Sequence, residues 1–167
     1  RPSSRLTVFG VTGTNGKSTT SSIISDIYSS LMPCGYMGTI AVRYGKYSRV
    51  PTLTTPDQIE VHADLAEMAE HGMKAVAMEV SSHGLSMGRV DTVDFDCAIF
   101  TNLTYDHLDY HKDMENYYKS KLRLFNMTSG CNIINVDDEY GRRILKDLEN
   151  SIPVITYGIE KKSDIYA

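Results

Sequence analysis

The residues best equipped for chemistry fall into four short stretches. The first is Gly13-Thr14-Asn15-Gly16-Lys17-Ser18-Thr19. Glycines let backbone N–H groups turn inward around an anion, a lysine can reach the β- and γ-phosphates of a nucleotide, and a hydroxyl can hold Mg²⁺. The usual phosphate-loop spacing puts a glycine five positions before the second one. Val11 stands there, and Gly13 lies only three before Gly16, so this is a shorter variant. The plain alternative is a glycine-rich turn before a helix, but Lys17 and Ser18 are hard to account for as packing.

The second stretch ends the apolar run Ala75–Val80 with Glu79, followed by Ser81, Ser82, His83 and, further on, Arg89. A carboxylate there is costly unless it faces a site or a cation. Glu79 reads as a Mg²⁺ ligand or water-positioning base, or else as a strand-end side chain in solvent. The hydroxyls and the guanidinium suit an anionic substrate; the alternative is a surface arginine. The third stretch, Thr101–His111, packs Asp106, His107, Asp109 and His111 together. Carboxylate and imidazole suit Mg²⁺ or Mn²⁺; a zinc hydrolase would use His107, Asp109 and His111, and local hydrogen bonding would equally explain the last two. The fourth is Lys121, on a helical face with Tyr117, Leu124 and Phe125. Taken alone it is a lysine laying its stem on apolar surface.

These residues need a scaffold that brings strand ends together. Leu6–Thr12 is β-prone, the loop follows it, and Thr20–Leu31 carries Ile23, Ile24, Ile27 and Leu31 at helical spacing until Pro33 and Gly35. Ile40–Tyr44 and Tyr47–Val50 flank Gly45-Lys46 as a hairpin. Thr55-Pro56-Asp57-Gln58 predicts a helix start with Thr55 as N-cap, running to about His71 with Gly72 as its stop. Strands are predicted at Ala75–Val80, Asp96–Asn102, Cys131–Val136 and Val154–Tyr157, helices at Asp113–Met127 and Asp138–Glu149, and a further strand start at 163–167. Near-continuous apolar strands alternating with helices imply an α/β domain: a phosphate-loop parallel sheet with helices on both faces, plus a small β-hairpin. Ligands bind such sheets beyond the carboxyl ends of the strands, where the chemically loaded stretches fall.

Composition narrows the class. The chain has 167 residues, 41% hydrophobic and 23% charged, enough apolar content for one folded domain. No apolar run approaches the ~20 residues of a membrane span. The net charge of −4 argues against a broad grip on nucleic acid but not against a local anion pocket. Cys34, Cys97 and Cys131 lack zinc spacing and read as free thiols in a reducing cytoplasm.

Together the motifs Gly13–Ser18, Thr54-Thr55-Pro56, Glu79-Val80-Ser81-Ser82-His83-Gly84-Leu85 with Arg89-Val90, and Thr101-Asn102-Leu103-Thr104 with Asp106–His111 resemble the central ATP-binding domain of Mur ligases. The Thr-Thr-Pro and Glu-Val-Ser-Ser-His stretches favour the tripeptide-forming (MurE-type) branch. The resemblance implies a peptidoglycan-synthesis enzyme that adds a diamino acid, meso-diaminopimelate or L-lysine, to UDP-N-acetylmuramoyl-L-alanyl-D-glutamate through an acyl phosphate, with ATP and Mg²⁺. It implies that Gly13, Thr14, Asn15, Gly16, Lys17, Ser18 and Thr19 cradle ATP, that Ser18 and Glu79 hold one Mg²⁺, and that His107 helps hold a second. Lys121 falls where the family carries a carbamylated lysine. Thr54, Thr55, Ser81 and Arg89 are implied to contact the UDP-muramoyl-dipeptide, and Met87 stands where some relatives have a polar side chain. Residues 1–167 are then a central domain without the family's N-terminal UDP-binding and C-terminal amino-acid-binding domains, expected to fold but not to ligate alone. No obligate protein partner is evident. A folylpolyglutamate synthetase-like ligase and a non-catalytic nucleotide-binding module remain alternatives.

Overall fold

The computed structural model describes residues 1–149 and 151–166. After a 3-10 turn at Ser3–Arg5 come β1 (Thr7–Thr12), α1 (Lys17–Ser29), β2 (Cys34–Met37), β3 (Val42–Tyr44), β4 (Tyr47–Arg49) and α2 (Gln58–Glu70). Then follow β5 (Ala75–Glu79), α3 (Ser82–Ser86), β6 (Phe95–Phe100), α4 (Leu108–His111) and α5 (Met114–Met127). The chain continues through β7 (Thr128–Asn135), α6 (Glu139–Asp147), β8 (Val154–Gly158) and β9 (Ile165–Tyr166). Among the described residues the strands form one sheet in the order β4-β3-β2-β5-β1-β6-β7-β8-β9. All neighbours from β2 to β9 pair in parallel, and the predicted hairpin, β3 and β4, extends one edge in antiparallel fashion.

Alternation along the strands splits the core between the two faces. Val8, Ala98, Phe100 and Ile134 join the larger cluster, with Val61, Leu65 and Met68 of α2, Leu124 and Phe125 of α5, and Ile144 of α6. Phe9, Val11, Cys97, Ile99, Cys131 and Ile133 make a smaller one with Ile24 of α1. Ile23, Ile27 and Leu31, apolar and at helical spacing, are exposed, whereas Ser21 and Ser25 are the buried residues of α1.

Two local expectations shift, whereas the first helix follows the glycine loop directly as expected, beginning at Lys17 with Gly16 at φ 85° as its N-cap. Asp57, not Thr55, caps α2, its carboxylate accepting the Glu60 N–H. The segment between Pro33 and Gly38, where helical periodicity stops, is a fully buried strand, β2. The predicted last strand is the two-residue β9; its Ala167 end lies outside the described residues. No helix among them is long and apolar enough to cross a membrane.

Candidate nucleotide- and anion-binding site

The sheet order puts β1 between β5 and β6, with Val11 level with Glu79 and Thr12 level with Phe100. The backbone leaving these three strands therefore starts side by side, and the order of connections changes direction there, as expected of a ligand crevice. The β6 exit is a template for the glycine loop. Asn102 accepts the Thr14 N–H at its carbonyl (2.8 Å) and the Asn15 N–H at its Oδ1 (3.0 Å). The Thr101 hydroxyl donates to the Asn15 carbonyl at 2.7 Å, and the Thr104 N–H donates to Thr14 Oγ1 at 2.9 Å. Asp138 ties the same segment to the start of α6, accepting the Leu103 N–H as well as those of Tyr140 and Gly141. Gly13 has no room for a side chain: a Cβ would lie 1.9 Å from Thr101 Oγ1.

The loop delivers the chain to the N-terminus of α1, where no side chain makes a capping hydrogen bond. Uncapped N–H groups and the helix dipole make such an end receptive to phosphate. Lys17 arches back over the loop, its Nζ donating to the carbonyls of Gly13 (2.9 Å) and Thr14 (2.8 Å). Burial lowers its pKa, while Glu79 and Asp106 pull it back up. Lys121, which alone reads as a surface lysine, is instead 1% exposed. Its Nζ donates to the same Gly13 carbonyl at 2.9 Å and lies 4.7 Å from the centroid of the Tyr117 ring. Burial pushes its pKa far down, Lys17 adds repulsion, and Asp106 opposes both.

Glu79 is 1% exposed, which excludes the strand-end side chain in solvent. Its Oε1 accepts from Tyr36 Oη at 2.7 Å and from the Thr39 N–H at 2.8 Å; the Thr39 hydroxyl approaches Oε2 at 3.2 Å. Gly38 passes so close that a Cβ would lie 2.1 Å from Oε1. Thr55 serves the same strand tip: its hydroxyl donates to the Glu79 carbonyl and accepts the Ser81 N–H, both at 2.9 Å. This tertiary role is why it does not cap α2. Ser81 caps α3 by accepting the Gly84 N–H, so its hydroxyl proton is still available to donate. Arg89 reaches the Thr55 carbonyl at 2.9 Å and Met87 Sδ at 3.0 Å.

Lys17, Thr54, Thr55, Ser81, Arg89, His107 and Lys121 all line one cavity of about 310 Å³, with Leu53, Ser82, His83 and Tyr117 completing its wall. Glu79 and Ser18 are not in that wall; Glu79 lies beneath it, turned toward Tyr36 and Thr39. His107, at φ 52° and half exposed, lies 3.4 Å from Asp106 and edge-on to His83. His111 turns away from the surface and stacks on Tyr117, its Nε2 buried without a partner. Burial, then His83 and Lys121, hold its pKa down at about 4, with Asp109 opposing, so the ring is neutral near pH 7. Among the described residues no three His, Cys, Asp or Glu side chains are placed to share a metal. The zinc-hydrolase reading of His107, Asp109 and His111 is therefore set aside. The Glu79 carboxylate and Ser18 hydroxyl are hard oxygen donors of the kind Mg²⁺ takes, and a buried, unpartnered Thr12 hydroxyl ends β1, one residue beyond Val11, the register partner of Glu79.

Comparison with known proteins agrees with this geometry. The family model of the Mur ligase middle domain matches residues 11–167. The chain belongs to the Mur ligase family. It is 44% identical over 168 residues, 99% of its length, to the UDP-N-acetylmuramoyl-L-alanyl-D-glutamate–2,6-diaminopimelate ligase of Clostridioides difficile (strain 630). It spans about a third of that relative's own length, 35%. A solved structure of a ligase of the same name superposes with a TM-score of 0.87 at 33% identity, covering 96% of this chain and 34% of the other. Escherichia coli FolC in complex with DHPP and ADP aligns at a TM-score of 0.59 and 22% identity, over 96% of this chain and 44% of that one, a likeness of fold alone. Within this Mur ligase chain, the groups the sequence reading passes over are Tyr36 and Thr39, which orient Glu79, and Tyr117, whose hydroxyl lies 3.1 Å from Thr14 Oγ1. A buried Tyr and a Thr flanking Gly38 were the available signal, masked because β2 was not recognised as a strand.

Proposed function

We propose that this chain is the nucleotide-handling central domain of a ligase that adds a diamino acid, meso-diaminopimelate or L-lysine, to UDP-N-acetylmuramoyl-L-alanyl-D-glutamate in the cytoplasmic stage of peptidoglycan synthesis. The observation that carries the reading is the meeting, in one cavity, of the two lysines at the Gly13 carbonyl with Thr54, Thr55, Ser81 and Arg89. The first group suits phosphates, the second a carboxylate-bearing anion.

The chemistry this arrangement favours is carboxylate activation. The terminal carboxylate of the muramoyl-dipeptide, oriented by Arg89 and the Thr54 and Ser81 hydroxyls while Thr55 fixes the Glu79–Ser81 backbone, attacks the γ-phosphorus of ATP. The products are an acyl phosphate and ADP, and the amine of the incoming diamino acid then displaces inorganic phosphate. Lys17 and the N–H groups at the start of α1 offset the charge that builds on the phosphoryl oxygens, and the loop holds the reacting atoms in line. Mg²⁺, held by Ser18 and Glu79 with a second ion near His107, would supply further charge neutralisation. Lys121 fits a carbamate site: burial favours its neutral amine, the form that adds CO₂. The separate uridine- and amino-acid-binding domains are taken to be supplied by the rest of a longer polypeptide, so the 167 residues alone are not expected to ligate.

The test is calorimetry of the chain with a non-hydrolysable ATP analogue and Mg²⁺. Saturable binding is expected, weakened at least about tenfold by Lys17→Ala, one unit of phosphate-directed charge being worth more than about 1.4 kcal/mol. The circular dichroism should be unchanged. Absence of binding in the folded wild type, or equal affinity in the variant, refutes the assignment.

A further inference from the structure

Outside the site, two thiols face each other on the opposite sheet layer. Cys97 in β6 and Cys131 in β7 are register partners across a parallel pair, so their side chains project from the same face. Adjacent strands lie ~4.8 Å apart, inside the ~4.4–6.8 Å Cα range that a disulfide can bridge. Their Sγ atoms are 3.1 Å apart. The pair sits in the small cluster of Val11 and Ile99, with Phe9, Ile24 and Ile133 around it. Cys97 is 4% exposed, whereas Cys131 is only partly buried. The third thiol, Cys34, is in β2, with β5 and β1 between it and β6.

We infer that Cys97 and Cys131 form a redox pair that hydrogen peroxide converts reversibly to an intrachain disulfide. Cys131, the more accessible sulfur, attacks one peroxide oxygen as thiolate. That sulfur becomes a sulfenic acid, and the other oxygen leaves as hydroxide and takes up the thiol proton as water. The Cys97 sulfur then attacks the Cys131 sulfur; the S–S bond forms as the S–O bond breaks, and the departing oxygen leaves as a second water with the Cys97 proton. Two thiols are oxidised, one peroxide is reduced, and a dithiol reductant reverses the change. Burial and the neighbouring Cys131 both raise the Cys97 pKa, consistent with its acting second.

The link would join β6 and β7 beneath their functional ends. Thr101 lies four residues beyond Cys97 and Asn135 four beyond Cys131. The Asn135 amide already donates to the Thr101 carbonyl at 2.8 Å.

The experiment treats the reduced, folded chain with hydrogen peroxide, quenches with an alkylating agent under denaturing conditions and maps the peptides by mass spectrometry. The expected result is a Cys97–Cys131 cross-linked peptide, loss of alkylation at both, alkylated Cys34, and full recovery after dithiothreitol. In Cys97→Ser, Cys131 should instead stop at a sulfenic acid that dimedone traps. Cys97 remaining fully alkylated in the wild type, a link between two chains, or a link formed only in urea would each overturn the inference.

Discussion

Gly13→Ala is the most direct probe of how the β6 exit shapes the phosphate loop. The new methyl would sit 1.9 Å from Thr101 Oγ1 and 3.1 Å from both the N and O of Asn102. The two backbone atoms cannot move without disturbing the bonds that Asn102 makes to Thr14 and Asn15, so Thr101 must swing away. That breaks its hydroxyl bond to the Asn15 carbonyl (2.7 Å), the Thr12 carbonyl at 3.3 Å being an alternative acceptor for the same proton. One lost hydrogen bond at about 1 kcal/mol, plus about 1–3 kcal/mol for overpacking, gives a destabilisation of about 2–4 kcal/mol. Thr101→Ala alone removes the hydroxyl and should cost about 1–2 kcal/mol. In the double variant the methyl finds the space the hydroxyl vacated. The urea-unfolding cycle should therefore show a coupling of at least about 1 kcal/mol, the double variant being more stable than the sum predicts. Additivity within about 0.3 kcal/mol would refute the claim that this hydroxyl is what forbids a side chain at position 13.

Two further outcomes follow from the geometry. Burial lowers the Lys121 pKa in the fold below that of the unfolded chain, so at pH values between the two, unfolding takes up a proton. Stability should rise with pH through that interval by up to about 1.4 kcal/mol per unit from this group. Lys121→Met should flatten the wild-type slope between about pH 9 and 10, just below the ordinary lysine value, and parallel slopes would contradict the lowered pKa. Asp138→Ala removes the cap of α6 and the acceptor of the Leu103 N–H together, and should lower unfolding stability by about 2–3 kcal/mol; a loss under about 0.5 kcal/mol would show the two elements to be uncoupled.

Much of the architecture was legible because local and global signals agreed. The predicted Asp113–Met127 helix appears as Met114–Met127 capped by Asp113, and the apolar run at 75–80 becomes β5. Lys121 was readable in position but not in state: spacing put it on an apolar face, while only packing decides that the whole side chain goes in, terminal nitrogen included. Thr55 was misassigned because Thr-Pro before an amphipathic run satisfies capping rules, yet the Glu79 carbonyl and Ser81 N–H claim its hydroxyl. The cradle of Glu79 was hidden for a related reason. Cys34–Met37 is four residues long and bounded by Pro33 and Gly38, too short to show a period, and its role as a neighbour of β5 is set by pairing across the sequence.

The place of β1 in the sheet has a consequence for endurance. Among the described residues it is the fifth of nine strands, with four on either side. Fraying begins where a ladder has one side unpaired, so a disturbance entering at Tyr47–Arg49 or at Ile165–Tyr166 must unzip successive neighbours before it reaches Thr12. Amide exchange should accordingly slow from the two rims toward the middle, and the Gly13–Thr19 turn hangs from the part of the ladder that opens last.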